Sequence, residues 1–203
     1  MKIFNRLLSA VFAVLIITFS AGCAAEKIGI TQKSGESYSF SAPESSQKSE
    51  ASSQSAGKTY TMADIKKLKN TGHFAKNTLE HIFDGTINSK GKATGYHYSM
   101  VSDSKGKIID GTRSKTDKNG VFTGKVEVSG VKKNGFSSFY PESWTPQQVV
   151  DAINEAYDDA LSNPNNPQGS IWIGYCDNLK IEIDMYLNSN KQITTAFPVY
   201  EGD

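Results

Sequence analysis

Cysteine, histidine and tryptophan are scarce in this chain: 203 residues hold two, three and two of them. With Cys23 and Cys176 alone, a disulfide framework is excluded, and so is a cysteine-rich zinc site. Long apolar runs are also missing. The one sizeable stretch, Leu7 to Phe19, is too short to favour a permanent membrane span. A strong overall charge is absent as well, at +1, but the sum hides a division along the chain. Residues 1–58 carry 6 basic and 4 acidic side chains, 59–141 carry 14 and 7, and 142–203 carry 2 and 10, for balances of +2, +7 and −8. All three histidines fall in the basic segment. A basic surface beside titratable groups suits a polyanionic substrate, although a solvated basic face with no partner reads the same way when charge is the only clue.

What is present begins with an export signal. Lys2 and Arg6 precede the apolar stretch, and small residues lead up to Cys23, the layout of a cleaved secretory leader. "SAGC" at 20–23 resembles a bacterial lipobox, in which Cys23 becomes the lipidated first residue. Ser20 stands where that motif usually has an aliphatic residue, so plain secretion with cleavage nearby stays open. The chain is thus expected to be exported, either anchored to the cell membrane by lipid or extracellular. Residues 24–58 are rich in Ser, Lys, Glu and Gln and nearly free of large aliphatics after Ile30. Such a segment buries too little apolar surface to offset its ordering entropy. It reads as a disordered tether, leaving 59–203 as one folded domain.

Within that domain, "TMADIKKLKN" (61–70) predicts a Thr-capped helix, and "AKNTLEHIF" (75–83) predicts a second that ends at Asp84-Gly85. From Tyr96 the pattern alternates, with turns at 102–107 and at Asn119-Gly120, a strong hairpin signal. His81 therefore sits near a helix end and His97 on or near a strand. "TPQQVVDAINEAYDDAL" (145–161) is the clearest element. Thr145 with Gln148 forms a capping box, Pro146 takes the first helical position, and Val149, Val150, Ile153, Tyr157, Ala160 and Leu161 share one face. Three strand-like runs follow, "SIWIGY", "KIEIDMYL" and "QITTAFPVY", the last two joined by "NSNK" as a hairpin. The class is α+β.

His81 and His97 lie sixteen residues apart around a short polar insert. That spacing is too long for a local i, i+4 metal clamp, and a third ligand is lacking apart from His73. Three readings compete: a metal site, an acid/base pair, and two unrelated surface residues. "EHIFDG" (80–85), "TGYHYS" (94–99), "KKNGFSSFYPESWTPQQVVDAI" (132–153) and "QITTAFPVY" (192–200) together resemble, in order and spacing, the bacterial EndoU endoribonuclease domain. That domain often ends polymorphic toxins and is related to eukaryotic EndoU enzymes and to the coronavirus uridylate-specific endoribonuclease. The likeness covers about residues 62–201 and favours the acid/base pair.

The resemblance implies an EndoU-like (RNase A-like) fold of two small antiparallel sheets with flanking helices. It also implies roles. His81 matches the first family histidine and His97 the second, in a step often written G-G-x-H, where Thr94 replaces the first glycine. Lys133 matches the catalytic lysine, with Lys132 a second candidate, and Thr195 matches the threonine of the terminal T-x-aromatic-Pro motif. Phe197 takes the place of a tyrosine in the eukaryotic and viral relatives, so a base contact there rests on stacking or shape. Ser137 and Ser138 are candidates for contact with the base, or else backbone caps before the Phe-Tyr-Pro turn. Thr195 reads equally as an ordinary strand residue. His73 is read as a surface or helix-start residue, Cys176 as a small buried residue or turn neighbour, and Trp144 and Trp172 as core.

The chemistry asks for the same residue types. Cleaving RNA by its own 2′-hydroxyl needs a base, an acid for the leaving 5′ oxygen, and a cation for the phosphorane; two histidines and a lysine supply them. The products would be a 2′,3′-cyclic phosphate and a 5′-hydroxyl, and DNA should survive. The resemblance favours His97 as base and His81 as acid, with uridine as the expected base. No metal or other cofactor is expected, while manganese stimulation stays open. The expected partners are RNA and, through the lipid anchor, the membrane, for a chain acting as a monomer. Two alternatives remain: a non-catalytic surface-binding lipoprotein that keeps the fold, and a secreted antibacterial toxin, which would need an immunity protein.

Overall fold

A computed structural model describes residues 59–202; the leader, the tether and Cys23 lie outside the described residues. Two short helices come first, α1 (Met62–Ile65) and α2 (Thr78–Phe83). A two-stranded ribbon follows, β1 (Thr86–Ile87) and β2 (Ala93–Thr94), then an antiparallel sheet of β3 (Gly106–Ile108), β4 (Phe122–Val128) and β5 (Val131–Phe139). The long helix α3 (Pro146–Ser162) leads into a second three-stranded antiparallel sheet, β6 (Trp172–Cys176), β7 (Ile181–Leu187) and β8 (Ile193–Pro198). The architecture is α+β, with two small antiparallel sheets, as the sequence predicts.

Both early helices are shorter than their patterns suggest, α2 for a tertiary reason. After Ile65 the bonds tighten to i→i−3, Lys67 N–H to Asp64 and Leu68 N–H to Ile65, and the α-helix stops. Before α2, Phe74 forms a parallel bridge to Ile193, Ala75 N–H donates to the Ile193 carbonyl at 2.8 Å, and the Thr78 hydroxyl donates to that same oxygen at 2.7 Å. Asn77, left-handed at φ 66°, makes the corner between this bridge and the helix. Pairing with β8 has overridden local helix propensity.

Asn119-Gly120 does not close a strand hairpin. The Asp117 carboxylate accepts from the Asn119 and Val121 N–H groups and ties that dipeptide into a loop. The β4–β5 hairpin turns instead at Ser129-Gly130, both with positive φ (48° and 79°), as a type I′ turn needs. The "NSNK" hairpin does join β7 to β8.

α3 carries its capping box: the Thr145 hydroxyl accepts from Gln148 N–H at 3.2 Å, and the Gln148 side chain accepts from Thr145 N–H at 2.7 Å. Val149, Val150, Ile153, Ala156, Tyr157 and Ala160 are buried, whereas Leu161, expected on the same face, is exposed. The helix packs on β6 so closely that a β-carbon at Gly174 would lie 1.8 Å from the Ala156 carbonyl oxygen. Trp144 is buried beside Tyr140, and Trp172 packs partly buried against the core under the Lys191 ammonium. Cys176 is buried, its thiol 3.1 Å from the Glu155 carboxylate. With α3 on one face, side-chain alternation puts Asp184, Tyr186, Thr195 and Phe197 together on the other, where Tyr186 faces Thr195 and Asp184 faces Phe197 across the ladder.

Candidate active site

His81 lies in the last turn of α2, and the chain returns to it at Gly95. Tyr96 N–H donates to the His81 carbonyl at 2.9 Å, His97 N–H to that of Ile82 at 2.7 Å, and Tyr140 N–H to that of His97 at 2.9 Å. The segment holding His97 is thereby laced between the end of α2 and the end of β5. Only glycine fits at 95: its φ is +74°, and a β-carbon would stand 2.1 Å from the His81 carbonyl oxygen. This close approach sets the two imidazoles with centroids 6.4 Å apart.

Lys133 reaches the same place through an irregularity in β5. Lys125 pairs with Phe136 and Glu127 with Lys132, so residues 133–135 oppose Val126 alone. The bulge, with Gly135 at φ 79°, turns Lys133 inward. Its Nζ donates to the Gly95 carbonyl at 3.1 Å and to the Ser137 hydroxyl at 2.7 Å. An ammonium has three protons, which leaves one for an anion. Lys132, by contrast, is exposed and paired across the sheet with Glu127.

Each imidazole has its Nδ1 engaged. That of His97 lies 2.9 Å from the Ser138 carbonyl oxygen, which can only accept, so His97 carries its proton on Nδ1 and leaves Nε2 as a bare lone pair when neutral. The Nδ1 of His81 lies 3.0 Å from the Thr86 hydroxyl. Phe197 stacks on the His97 ring at 5.3 Å and 22°, and Tyr186 lies 6.5 Å from Phe197.

Burial, and then the Lys133 charge, lower the His81 pKa to about 4; the same two causes, burial first, hold His97 well below 6.5. Burial also brings Lys133 down to about 8. Near neutrality both histidines are therefore uncharged and the lysine carries the local positive charge. This has a sign for stability: the folded domain refuses protons that the unfolded chain accepts below about 6.5, so stability falls as pH drops from there. We expect the melting temperature of His97→Gln to fall less between pH 7 and 5 than that of the parent; an equal drop would contradict the burial argument.

Of the remaining candidates, Ser137 is buried and its hydroxyl is committed, accepting from Lys133 and donating to the Gly95 carbonyl at 3.2 Å. Ser138 contributes its carbonyl to His97. The Thr195 hydroxyl oxygen is buried without a hydrogen-bond partner among the described residues, and so is one Asp184 carboxylate oxygen on the same face. His73 is exposed and its ring lies tilted at 31° beside that of Tyr157, centroids 4.6 Å apart, outside the pairing of the other two histidines. Among the described residues no group of three or more His, Cys, Asp or Glu side chains is placed to hold a metal ion. Residues that sequence reasoning passed over are Thr86, which touches His81, Gly95, which permits the approach, and Asp184. The only available signal for Thr86 was its place in the insert between the histidines.

The pattern of the bacterial EndoU nuclease family matches residues 75–200, which include every residue of this cluster. A Bacillus cereus protein named "Toxin" is 40% identical over 137 residues, 66% of this chain and 24% of that protein. The match thus spans about a quarter of the relative's length. No solved structure matches the chain.

Proposed function

The chain belongs to the bacterial EndoU nuclease family, and from that premise we propose that it cuts single-stranded RNA, with uridine at the cleavage step, by attack of the 2′-hydroxyl on the adjacent phosphorus. His97 Nε2 takes the 2′-hydroxyl proton. The 2′ oxygen bonds to phosphorus while the bond to the 5′ oxygen breaks, and His81 Nε2 gives that oxygen its proton. A 2′,3′-cyclic phosphate and a free 5′-hydroxyl result, and solvent exchange resets the two imidazoles. Lys133 offsets charge on the phosphorane. The observation that carries this reading is the pair of imidazoles 6.4 Å apart, each with Nδ1 engaged.

Protonation of His81 is the demanding step, since Lys133 and burial oppose it. An arriving phosphodiester is negative and counteracts the lysine, so substrate itself raises the pKa of its acid. Thr195, with its orphaned hydroxyl, and Phe197, already flat against His97, are the side chains offered to the nucleoside. Ser137 acts through Lys133. The chemistry needs no cofactor.

The toxin relative supports a second layer of the same reading: an exported nuclease, tethered through Cys23 or released, acting as a monomer on RNA of another cell and held in check in the producer by an immunity protein. The test is incubation of the full chain with a uridine-containing RNA and its DNA counterpart, in chelator and with manganese. Cleavage confined to RNA, in chelator, with a cyclic-phosphate end is expected. RNA left intact under every condition would leave a surface-binding protein, and cleavage of DNA would exclude the 2′-hydroxyl route.

A further inference from the structure

The polar insert between the histidines folds into the ribbon β1–β2, and its register places Thr86 directly opposite Thr94. The two hydroxyl oxygens are 3.0 Å apart, and Thr86 Oγ1 is 3.0 Å from His81 Nδ1. Thr94 Oγ1 also lies 3.2 Å from the Thr86 carbonyl oxygen. Each hydroxyl has one proton, and a carbonyl only accepts. If Thr94 donates to that carbonyl, Thr86 must donate to Thr94. The Thr86 oxygen then has only a lone pair for His81, whose Nδ1 must be the donor.

We propose that Thr86 and Thr94 are a pair of positioning residues that hold His81 with its proton on Nδ1 and so direct Nε2 at the leaving oxygen. The inference rests on the acid role given to His81 above. It makes the two histidines equivalent in design: a backbone carbonyl fixes His97 and a chain of two hydroxyls fixes His81. The difference between them is chemical. A carbonyl can never donate, so the His97 tautomer is permanent, whereas a hydroxyl chain holds only as long as Thr94 accepts from Thr86. Without Thr94, the Thr86 proton is free to turn toward His81 Nδ1, and the neutral ring would move its own proton to Nε2. That form can become an imidazolium only by taking a proton at Nδ1, where the Thr86 hydroxyl would then point its own proton, so the acid that donates from Nε2 is disfavoured.

The test uses the full chain with Thr94→Val, Thr94→Ser and Thr86→Val, read by ¹⁵N chemical shifts of the imidazoles and by the pH dependence of kcat on RNA. In the parent the neutral His81 is expected as the Nδ1–H form. In Thr94→Val it should shift toward Nε2–H, kcat should fall about 10- to 100-fold, as when a metal-bound histidine loses the partner that orients it, and the pH limb belonging to His81 should move. Lys133 from β5 and His97 are the other groups facing that ring; both stay in place, and unchanged His97 shifts report an intact site. Thr94→Ser should restore the parent's tautomer and most of its rate. Thr86→Val should lower kcat without giving the Nε2–H form a hydroxyl donor. An unchanged His81 tautomer in Thr94→Val, or failure of the serine to rescue, overturns the proposal. The tautomer is read without turnover, so a chain that cuts no RNA would refute the ribonuclease reading while the shifts still decide the hydroxyl chain.

Discussion

His97→Gln is expected to lower RNA cleavage by about two to four orders of magnitude, the span of a general base, in a protein that remains folded. The glutamine amide can still donate to the Ser138 carbonyl, which accepts the His97 Nδ1 proton in the parent, so the loss isolates the lone pair on Nε2. His81→Gln should cost a similar amount on RNA, and the two are separated by the leaving group. On uridine 3′-(4-nitrophenyl phosphate) the departing phenolate needs no proton. His81→Gln should then recover most of its rate, while His97→Gln should not. Recovery by the wrong variant would exchange the acid and base assignments and leave the rest of the site as described. Equal recovery by both would remove the proton-transfer roles altogether.

Elements whose signals are local were legible. The capping box of Thr145 and Gln148 fixed the start of α3, and alternation with a polar turn fixed β7 and β8, since all of these depend on neighbours in sequence. Elements that answer to distant partners were not. Asn77 turns left-handed and α2 starts late because Phe74 and Ala75 are paired with Ile193, a contact without trace in residues 75–83. The hairpin closed at Ser129-Gly130 in place of the stronger Asn119-Gly120 because Asp117 had claimed the latter. The site divides in the same way. His81, His97 and Lys133 stand at motif positions and were named from them, with Lys132 a second candidate; what separates the two lysines in space is the bulge opposite Val126, which no local signal announces. The Thr86–Thr94 pairing needed the register of a ribbon only two residues long on each side, and the commitment of the Ser137 hydroxyl needed Gly95 to arrive beneath it.

Lys133→Met should reduce kcat/KM by about 10²–10³, as for loss of one preorganised donor to developing negative charge, and Lys133→Arg should keep much of the rate while changing its pH profile. The reason lies in the burial that sets the Lys133 pKa at about 8. Below that pH the ammonium is charged and can hold the phosphate; above it the charge is lost, so kcat/KM, which reports the free enzyme and already declines as His81 loses its proton, should fall more steeply as pH rises through about 8. A guanidinium does not lose its proton in this range, and the steepening near 8 should vanish from Lys133→Arg while the decline set by His81 stays. The methionine variant makes a second prediction with the opposite sign. The Lys133 charge is one cause of the low pKa of both histidines; removing it should raise both and carry the acid limb of the residual activity upward. A steepening near 8 that persists unaltered in Lys133→Arg would mean that another group titrates there. Lys133 would then be left with the structural task it already performs, joining the bulge of β5 through Ser137 to the Gly95 carbonyl that brings the two histidines together.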